Sequence, residues 1–310
     1  MFSIRRNVPL APLTTFHVGG KAQYYIRLSC PLELAEAIEY AEKNNLPAYI
    51  LGGGSNVLFS DNGFPGLVIH LVGGGITVTG NRIHAAAGAS LDDVIDTARK
   101  NSLGGIEKLS GIPGSFGGAV RGNAGAFGAE IGDVLTRVKA MDKTTGMVIE
   151  YTKAECHFGY RASRFKKDDN LVILSADLLL SENADESELR RVAKETLRKR
   201  EAKHPQKAKC AGSFFMNPVV KDESLHREFE RDLGIVSKDE KLPAGWLIDH
   251  VGLRGKKIGG AMISEKHPNY LLNVGHASAE DVITLASLVK TRVRDELRIR
   301  LQEEVQYVGF

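Results

Sequence analysis

The sequence predicts an α+β protein made of two or three substructures. An opening β-α-β-loop-β pattern is typical of a small α/β unit. Short strands then surround one amphipathic helix between residues 76 and about 180, which favours a largely antiparallel sheet. Helical patterns dominate the rest of the chain. The length of 310 residues agrees with this division, because one hydrophobic core rarely organises so long a chain.

The opening unit contains three predicted strands and one helix. The strands are at 24–28, 47–51 and 67–71. The helix begins near Pro31, because proline suits a first helical position, and Leu34, Ile38 and Ala41 form its apolar stripe. Apolar side chains on one helix face indicate that this helix packs against the strands.

The second part is predicted to be a sheet with one helix. Its strands are at 76–79, 82–87, 134–141, 147–151 and 171–180. The helix starts at Ser90, with Asp93 placed for a capping box, and it ends at the Gly104-Gly105 pair. A polar helix over 187–202 follows this sheet.

The stretch from His204 to Lys207 is the most linker-like in the chain and introduces a third unit. This unit has a strand near 212–216 and helices at 222–233, 243–251 and 279–297. Ser278 and Asp281 mark the start of the last helix as a capping box. The tail, 302–308, is predicted to be a strand that returns to an earlier part of the chain.

The composition excludes several classes of protein. Hydrophobic residues make up 43% and charged residues 25%, as in ordinary globular proteins. A net charge of +3 without a Lys/Arg block gives no case for nucleic-acid binding. Cys30, Cys156 and Cys210 are far apart and odd in number, and no C-x-x-C occurs, which argues against a disulfide framework and a zinc site. Without a signal peptide or a run of about 18 apolar residues, we expect a cytoplasmic protein that does not contact membranes. The near-neutral charge and the lack of a heptad seam favour a monomer.

Glycine is the compositional outlier, and its 33 residues are clustered. Clustered glycine indicates backbone with positive φ or backbone in close approach to a ligand. One cluster, Gly52 to Gly54, follows an apolar strand and precedes Ser55 and Asn56. Its backbone N–H groups, with these two side chains, suit a concave site for a pyrophosphate. A plain glycine-rich turn is the alternative.

A second cluster runs from Ser110 to Gly128. Ile112, Phe116, Val120 and Phe127 interrupt its glycines, and a flexible linker would lack such anchors. Backbone without polar side chains suits a wall laid against a flat ring system. An ordered Ω-loop packed on itself is the alternative.

Two common nucleotide-binding folds are excluded by spacing. A Rossmann unit needs G-x-G-x-x-G before a helix, but Gly52 to Gly54 lacks the third glycine and no clear helix follows. A P-loop needs G-K-[ST], and Gly20-Lys21 is followed by Ala22. Neither G-x-S-x-G nor H-E-x-x-H occurs, which weakens the case for a hydrolase or zinc peptidase.

A set of short motifs, in one order, covers nearly the whole chain. The motifs are Thr14 to Gly20, Leu51 to Asn56, Ile112 to Gly128, Tyr160 to Phe165, Ala211 to Pro218, Ala244 to Asp249, Asn269 to Asn273 and Glu303 to Val305. Together they resemble the UDP-N-acetylenolpyruvoylglucosamine reductase (MurB) family of bacterial cell-wall synthesis. The resemblance implies an FAD-binding unit of the vanillyl-alcohol-oxidase (PCMH) type, made of two subdomains, plus a separate α+β substrate-binding domain. The implied boundaries are 1–72 with 299–310, 73–203, and 208–298.

The resemblance also implies the reaction. NADPH would reduce non-covalently bound FAD, and the flavin would reduce the enolpyruvyl ether of UDP-N-acetylglucosamine enolpyruvate to UDP-N-acetylmuramate. This step belongs to peptidoglycan precursor synthesis, and so to cell-wall biogenesis, cell shape and cell division.

The family's catalytic positions match Arg161, Ser213 and Glu304. Arg161 is a permanent planar cation that would offset the charge of an enolate-like intermediate, and Ser213 would protonate its second carbon. Glu304 is expected to be protonated during turnover, because an ionised carboxylate would repel that intermediate. The residues alone would indicate a surface arginine and a turn serine. A strand would put Glu303 and Glu304 on opposite faces, and the family spacing to Val305 favours Glu304.

The resemblance assigns further residues to the ligands. Those implied at FAD are Leu51, Gly52, Gly53, Gly54, Ser55, Asn56, Gly111, Ile112, Pro113, Gly114, Ser115, Gly117, Gly118, Asn123, Gly125 and Arg161. Those implied at the substrate are Tyr160, Arg161 and Asn217, with Asn217 at the diphosphate. Met216 stands where some members carry lysine, so a cation is lost there; Lys256, Lys257 and Lys266 either compensate or form a solvated face. No tyrosine-bearing insertion occurs near 165–171, which favours the subgroup lacking that substrate-covering loop.

Two other functional classes stay open at this point. One is a different FAD-dependent oxidase of the same fold, acting on a sugar or an alcohol. Such enzymes often tether FAD through histidine or cysteine, but no cysteine lies between 31 and 155, and His70 is the histidine nearest the first glycine loop. The other is a catalytically silent binding protein, which the joint presence of Arg161, Ser213 and Glu304 argues against.

Overall fold

The computed structural model describes residues 3–29, 33–205, 208–237 and 239–310. Cys30 and the predicted helix start at Pro31 lie outside these ranges, as do Gln206 and Lys207 of the predicted linker. The strands within them are β1 (Arg5–Pro9), β2 (Lys21–Leu28), β3 (Ala48–Leu51), β4 (Val57–Phe59), β5 (Phe64–Leu71), β6 (Ile76–Thr79), β7 (Arg82–Ala86), β8 (Gly125–Ala126), β9 (Ala129–Glu130), β10 (Leu135–Asp142), β11 (Val148–Thr152), β12 (Leu171–Leu179), β13 (Lys257–Ile258), β14 (Ala261–Ile263), β15 (Leu271–Asn273) and β16 (Gln306–Val308). The helices are α1 (Glu33–Lys43), α2 (Leu91–Lys100), α3 (Phe116–Arg121), α4 (Ile131–Val134), α5 (Arg164–Lys167), α6 (Glu186–Lys203), α7 (Glu223–Leu233), α8 (Ala244–His250) and α9 (Ala279–Leu297).

The chain divides into two compact units. The first consists of Met1–Val8, Ala22–Gly54 and Pro65–Ala202, and the second of Pro9–Lys21, Ser55–Phe64 and Lys203–Phe310. The division into three parts drawn from the resemblance stays a prediction. None of the helices in the described ranges combines the length and the apolar composition needed to cross a membrane.

The first unit begins with the small α/β sheet that the sequence predicts. Its strand order is β1-β2-β5-β3, and β3 runs parallel to β5. Helix α1 buries Leu34, Ala37, Ile38 and Ala41 in a core shared with β2 and β5. The predicted apolar stripe of this helix is therefore confirmed.

A second sheet of the first unit has the order β11-β10-β12-β7-β6, and every neighbouring pair is antiparallel, as predicted. Helix α2 packs on it with Leu91, Val94, Ile95 and Ala98 buried. Ser90 caps this helix by accepting a hydrogen bond from the Asp93 N–H. The helix ends at Lys100, earlier than the predicted glycine pair, because the backbone N–H of the following residue already turns back to close the last turn.

The second unit is a small sheet covered by helices. Strands β13, β14 and β15 form an antiparallel sheet, and β16 pairs in parallel with β4. Helix α9 has the predicted bounds, and Ser278 and Asp281 form the predicted capping box. The predicted tail strand is shorter than expected, covering only β16.

The predicted strand near 212–216 is wrong. This segment makes a single bridge, between Phe215 and Glu303. The backbone N–H groups of Phe214 and Phe215 both donate to Asn269 instead of to a neighbouring strand. A continuous ladder cannot form when its donors are used in this way.

Candidate active site

The two glycine-rich segments lie against each other in the first unit. A Cβ atom at Gly53 would lie 2.5 Å from Gly114 Cα and 2.7 Å from the Ser115 backbone nitrogen. A Cβ atom at Gly52 would collide with Ser115 Oγ. The backbone contact therefore requires glycine at position 53, and it brings the predicted pyrophosphate loop against the predicted backbone wall.

The second glycine segment contains a helix, α3, that the sequence does not predict. Ser115 caps helix α3 (Phe116–Arg121), because its Oγ accepts a 3.3 Å hydrogen bond from the Gly118 N–H. Phe116 and Val120 are fully buried, so two of the predicted anchors are confirmed, whereas Phe127 is 40% exposed. The serine cap and the two buried side chains explain why a glycine-rich stretch becomes helical here.

A tight turn presents Tyr160 and Arg161. Gly159 and Ala162 close the turn with two reciprocal backbone hydrogen bonds of 3.0 Å. Arg161 has φ of 52°, a left-handed conformation that is unusual for arginine. Its guanidinium lies 5.4 Å from the centre of the Tyr160 ring, and Nη2 donates to the Gly125 carbonyl oxygen at 3.0 Å. The first unit thus joins the predicted catalytic arginine to the second glycine segment.

The side chain of Asn123 stabilises this turn through hydrogen bonds. Its Nδ2 donates to the Gly159 carbonyl oxygen at 3.0 Å and to Glu130 Oε2 at 2.6 Å. Its Oδ1 accepts a 3.0 Å hydrogen bond from the Gly132 N–H, and the residue is 1% exposed. The structure gives this side chain a supporting position behind the turn, which local sequence reasoning missed; its predicted contact with FAD stays a prediction.

Ser213 and Glu304 come together in the second unit. The Glu304 N–H donates to the Phe214 carbonyl oxygen at 2.8 Å, and the Met216 N–H donates to the Gln302 carbonyl oxygen at 2.9 Å. Ser213 therefore lies directly beside the residue that is bonded to Glu304. These bonds run between two antiparallel segments, so the predicted proton donor and the predicted carboxylic acid are on neighbouring pieces of backbone.

Glu303 and Glu304 have different surroundings. Glu303 forms an ion pair of 2.5 Å with Lys290 on α9. Burial and the neighbouring Glu303 carboxylate both raise the pKa of the Tyr307 hydroxyl. Glu303 therefore belongs to a supporting cluster, which agrees with the choice of Glu304 as the functional residue, although that role stays a prediction.

Asn217 caps the start of α8. Its Oδ1 accepts a 3.0 Å hydrogen bond from the Ala244 N–H. The lysines proposed to compensate for Met216 are exposed; they are Lys256, Lys257 and Lys266. The structure thus gives Asn217 a structural partner, and its predicted contact with a diphosphate stays a prediction.

Comparison with known proteins defines the class of this site. The FAD-binding domain family matches residues 22–152, which hold the first glycine loop and most of the second sheet. The C-terminal domain family of UDP-N-acetylenolpyruvoylglucosamine reductase matches residues 204–308, which hold Ser213 and Glu304. The protein is therefore an FAD-dependent oxidoreductase.

Relatives along the whole chain give the family. UDP-N-acetylenolpyruvoylglucosamine reductases of Synechococcus sp. (strain JA-3-3Ab) and Solibacter usitatus (strain Ellin6076) are 39% and 34% identical to it, over 99% of this chain and 91% and 97% of their own. The crystal structure of MurB from Thermus caldophilus superposes with a TM-score of 0.78 at 31% identity, covering 100% of both chains. The chain belongs to the UDP-N-acetylenolpyruvoylglucosamine reductase family. The predicted fold, an FAD-binding unit of the PCMH type plus a separate C-terminal α+β domain, is confirmed.

Proposed function

We propose that this protein reduces the enolpyruvyl ether of UDP-N-acetylglucosamine enolpyruvate to UDP-N-acetylmuramate, with NADPH as the reductant. The observation that carries the proposal is the pairing of the Ser213 segment with the Glu304 segment, in a chain that matches reductases of this name over 99% of its length. The alternative, a sugar or alcohol oxidase of the same fold, is not favoured by these full-length matches.

The two glycine loops fit non-covalently bound FAD. The close packing of Gly53 on Gly114 brings the two loops together, and backbone N–H groups in such glycine-rich loops can form an anion site. We propose that FAD is held by the residues from Leu51 to Asn56, by the segment from Gly111 to Gly118, and by Asn123, Gly125 and Arg161. When bound there, FAD supplies a carrier of two electrons between NADPH and the substrate.

The chain's own residues would stabilise charge and deliver a proton. Reduction of the terminal enolpyruvyl carbon leaves negative charge beside the substrate carboxylate, and the Arg161 guanidinium would offset it, with Tyr160 beside it. Ser213 Oγ–H would then protonate the carbon next to the carboxylate, and the serine would recover its proton from water. Glu304, in its protonated form, would exchange its proton at this centre without adding negative charge. Asn217 would contact the diphosphate.

Several finer features belong to the same proposal. We place the chain in the subgroup lacking the tyrosine-bearing loop, because helix α5 (Arg164–Lys167) leads into β12 at Leu171 after only three further residues, 168–170. We also propose a cytoplasmic monomer that takes part in cell-wall biogenesis and thereby in cell shape and division. Support for these points comes from the composition and from the family.

The visible spectrum of the purified protein tests the proposal. Oxidised-flavin absorption should bleach when NADPH is added without oxygen, and it should return when UDP-N-acetylglucosamine enolpyruvate follows. If the absorption bleaches but does not return, FAD would remain the cofactor, and the proposed substrate would be wrong. A protein that cannot be loaded with FAD would overturn the role of both glycine loops.

A further inference from the structure

Asn269 makes three hydrogen bonds to the two residues that follow Ser213. Its backbone carbonyl oxygen accepts from the Phe214 N–H at 2.7 Å. Its Oδ1 accepts from the Phe215 N–H at 2.9 Å, and its Nδ2 donates to the Phe215 carbonyl oxygen at 2.8 Å. A side-chain amide that pairs with both polar groups of one residue imitates a β-bridge, and it fixes that backbone more firmly than one bond would.

The same backbone is also hydrogen bonded to Glu304. The carbonyl oxygen of Phe214 accepts from the Glu304 N–H at 2.8 Å, while its N–H is bonded to Asn269. Phe214 and Phe215 are each 1% exposed, so their rings also hold the segment in the core. The backbone of the two residues that follow Ser213 therefore has few alternative positions as long as Asn269 is intact.

Burial separates the role of Asn269 from those of the residues that would contact the substrate. Asn269 is 3% exposed, and the oxygen and the nitrogen of its carboxamide are both hydrogen bonded to the Phe215 backbone. Its own N–H donates to His267 Nδ1 at 3.3 Å, which ties the residue to the preceding turn. The side chain is thus placed behind the Ser213 segment.

We propose that Asn269 is a positioning residue for proton transfer: it holds Ser213 Oγ in place relative to Glu304, and the protonation step depends on it. This inference rests on the proposed function, since it assumes that Ser213 is the proton donor. Proton transfer from a weakly acidic hydroxyl depends strongly on geometry, and displacement by about 1 Å can cost about 10²-fold in rate. Reduction of the flavin by NADPH needs no proton from Ser213, so it should not depend on Asn269.

The test compares Asn269→Ala and Asn269→Asp with Asn273→Ala, all loaded with FAD. Asn273 is a matched control, because its side chain also bonds backbone, donating to the Phe16 and His17 carbonyl oxygens and accepting from the Ala277 N–H. The rates of bleaching by NADPH and of return with UDP-N-acetylglucosamine enolpyruvate are measured separately. Hydrogen exchange of the peptide covering 211–218 is measured on the same proteins.

We expect Asn269→Ala to bleach at the normal rate, to regain its colour about 10- to 100-fold more slowly, and to exchange amide hydrogens faster at 211–218. Asn269→Asp keeps the acceptor for the Phe215 N–H but places an oxygen against the Phe215 carbonyl oxygen, so it should also slow the return of colour. Asn273→Ala should match the unchanged protein in all three measurements. Equal slowing of both half-reactions, or an unchanged return of colour in either Asn269 variant, would overturn the inference. Failure of the unchanged protein to regain colour would instead overturn the proposed function.

Discussion

The side-chain amide of Asn56 donates a 3.1 Å hydrogen bond to the carbonyl oxygen of Glu304, which lies 248 residues further along the chain. The Gln306 N–H returns a 3.1 Å bond to the Asn56 carbonyl oxygen. These bonds attach the end of the first glycine motif to the segment that carries the predicted carboxylic acid. Glu304 is therefore held by its backbone on two sides, by Asn56 and by Phe214.

Replacing Glu304 by glutamine tests whether this side chain carries a proton. We expect Glu304→Gln to slow the return of flavin colour with substrate by about 10²-fold, because an amide cannot exchange protons as a carboxylic acid does. The neighbouring Glu303→Gln is the control; it removes the ion pair with Lys290, should cost at most about 1 kcal/mol of unfolding free energy, and should leave the rate unchanged. A Glu304→Gln protein with nearly full rate would show that Glu304 acts only through hydrogen bonding.

Loss of the Ser213 hydroxyl should affect one half-reaction only. In Ser213→Ala we expect normal bleaching by NADPH and a return of colour slowed by about 10²- to 10⁴-fold, the usual range for a missing general acid. Ser224→Ala, which removes a hydroxyl bonded to Asp222 at the start of α7, should behave like the unchanged protein. Rapid-mixing spectra measure both rates. An unimpaired Ser213→Ala protein would require another proton donor.

We expect that lysine cannot take over the function of Arg161. Arg161→Lys keeps the positive charge but loses the planar fork that donates to the Gly125 carbonyl oxygen. We expect the overall kcat/KM for the enolpyruvyl substrate to fall by about 10²-fold, as when one charge-stabilising donor is removed. Arg137→Lys, at an exposed arginine paired with Glu150, should leave kcat/KM unchanged. Equal rates in the two variants would contradict the role given to Arg161.

The contact between the glycine loops should control FAD affinity. A methyl group at position 53 would lie 2.5 Å from Gly114 Cα, so Gly53→Ala must push the two loops apart. We expect the FAD dissociation constant to rise by about 10-fold or more, a loss of about 1.4 kcal/mol. Gly75→Ala is the matched control, because a Cβ there meets no atom within 4 Å. Fluorescence titration of the FAD-free proteins measures both constants, and an unchanged constant in Gly53→Ala would contradict the proposed cradle.

His70 should make the folded protein sensitive to acid. Burial, assisted by the charge of Arg27, lowers the pKa of His70 from 6.5 to about 4, and its Nδ1 is 2.8 Å from the Tyr25 hydroxyl. Since the pKa is lower in the folded state, protons favour the unfolded chain, and the stability that neutral His70 contributes is lost as pH falls from about 6.5 to about 4. The His70→Gln protein lacks this pH-dependent contribution to the unfolding free energy, because glutamine does not titrate. The difference in urea unfolding free energy between the two proteins should therefore shrink over that pH range; a constant difference would contradict the assignment.

Much of the fold could be predicted because its signals are local. Helix α9 has the bounds read from its apolar spacing and from Ser278 and Asp281, which lie within one turn of each other. Helix α3 could not be predicted, since glycine has poor helix propensity. This helix depends on burying Phe116 and Val120, which sequence spacing does not reveal.

The candidate site shows the same limit. The glycine loops and the motifs holding Arg161, Ser213 and Glu304 could be found in the sequence, because each is a short continuous segment. Asn123 and Asn269 could not be given their supporting positions, because the residues that they support, Gly159 and Phe215, are 36 and 54 residues away. Such long-range side-chain bonds appear only when the fold brings the segments together.

The most direct test of the central claim is the mass of the product formed from UDP-N-acetylglucosamine enolpyruvate, with NADPH consumption followed in the same reaction. We expect the product to gain two hydrogen atoms for each NADPH consumed. In heavy water it should carry one deuterium at the carbon next to the carboxylate, the position that Ser213 would protonate. NADPH consumed without this product, or a product without solvent deuterium at that carbon, would contradict the account.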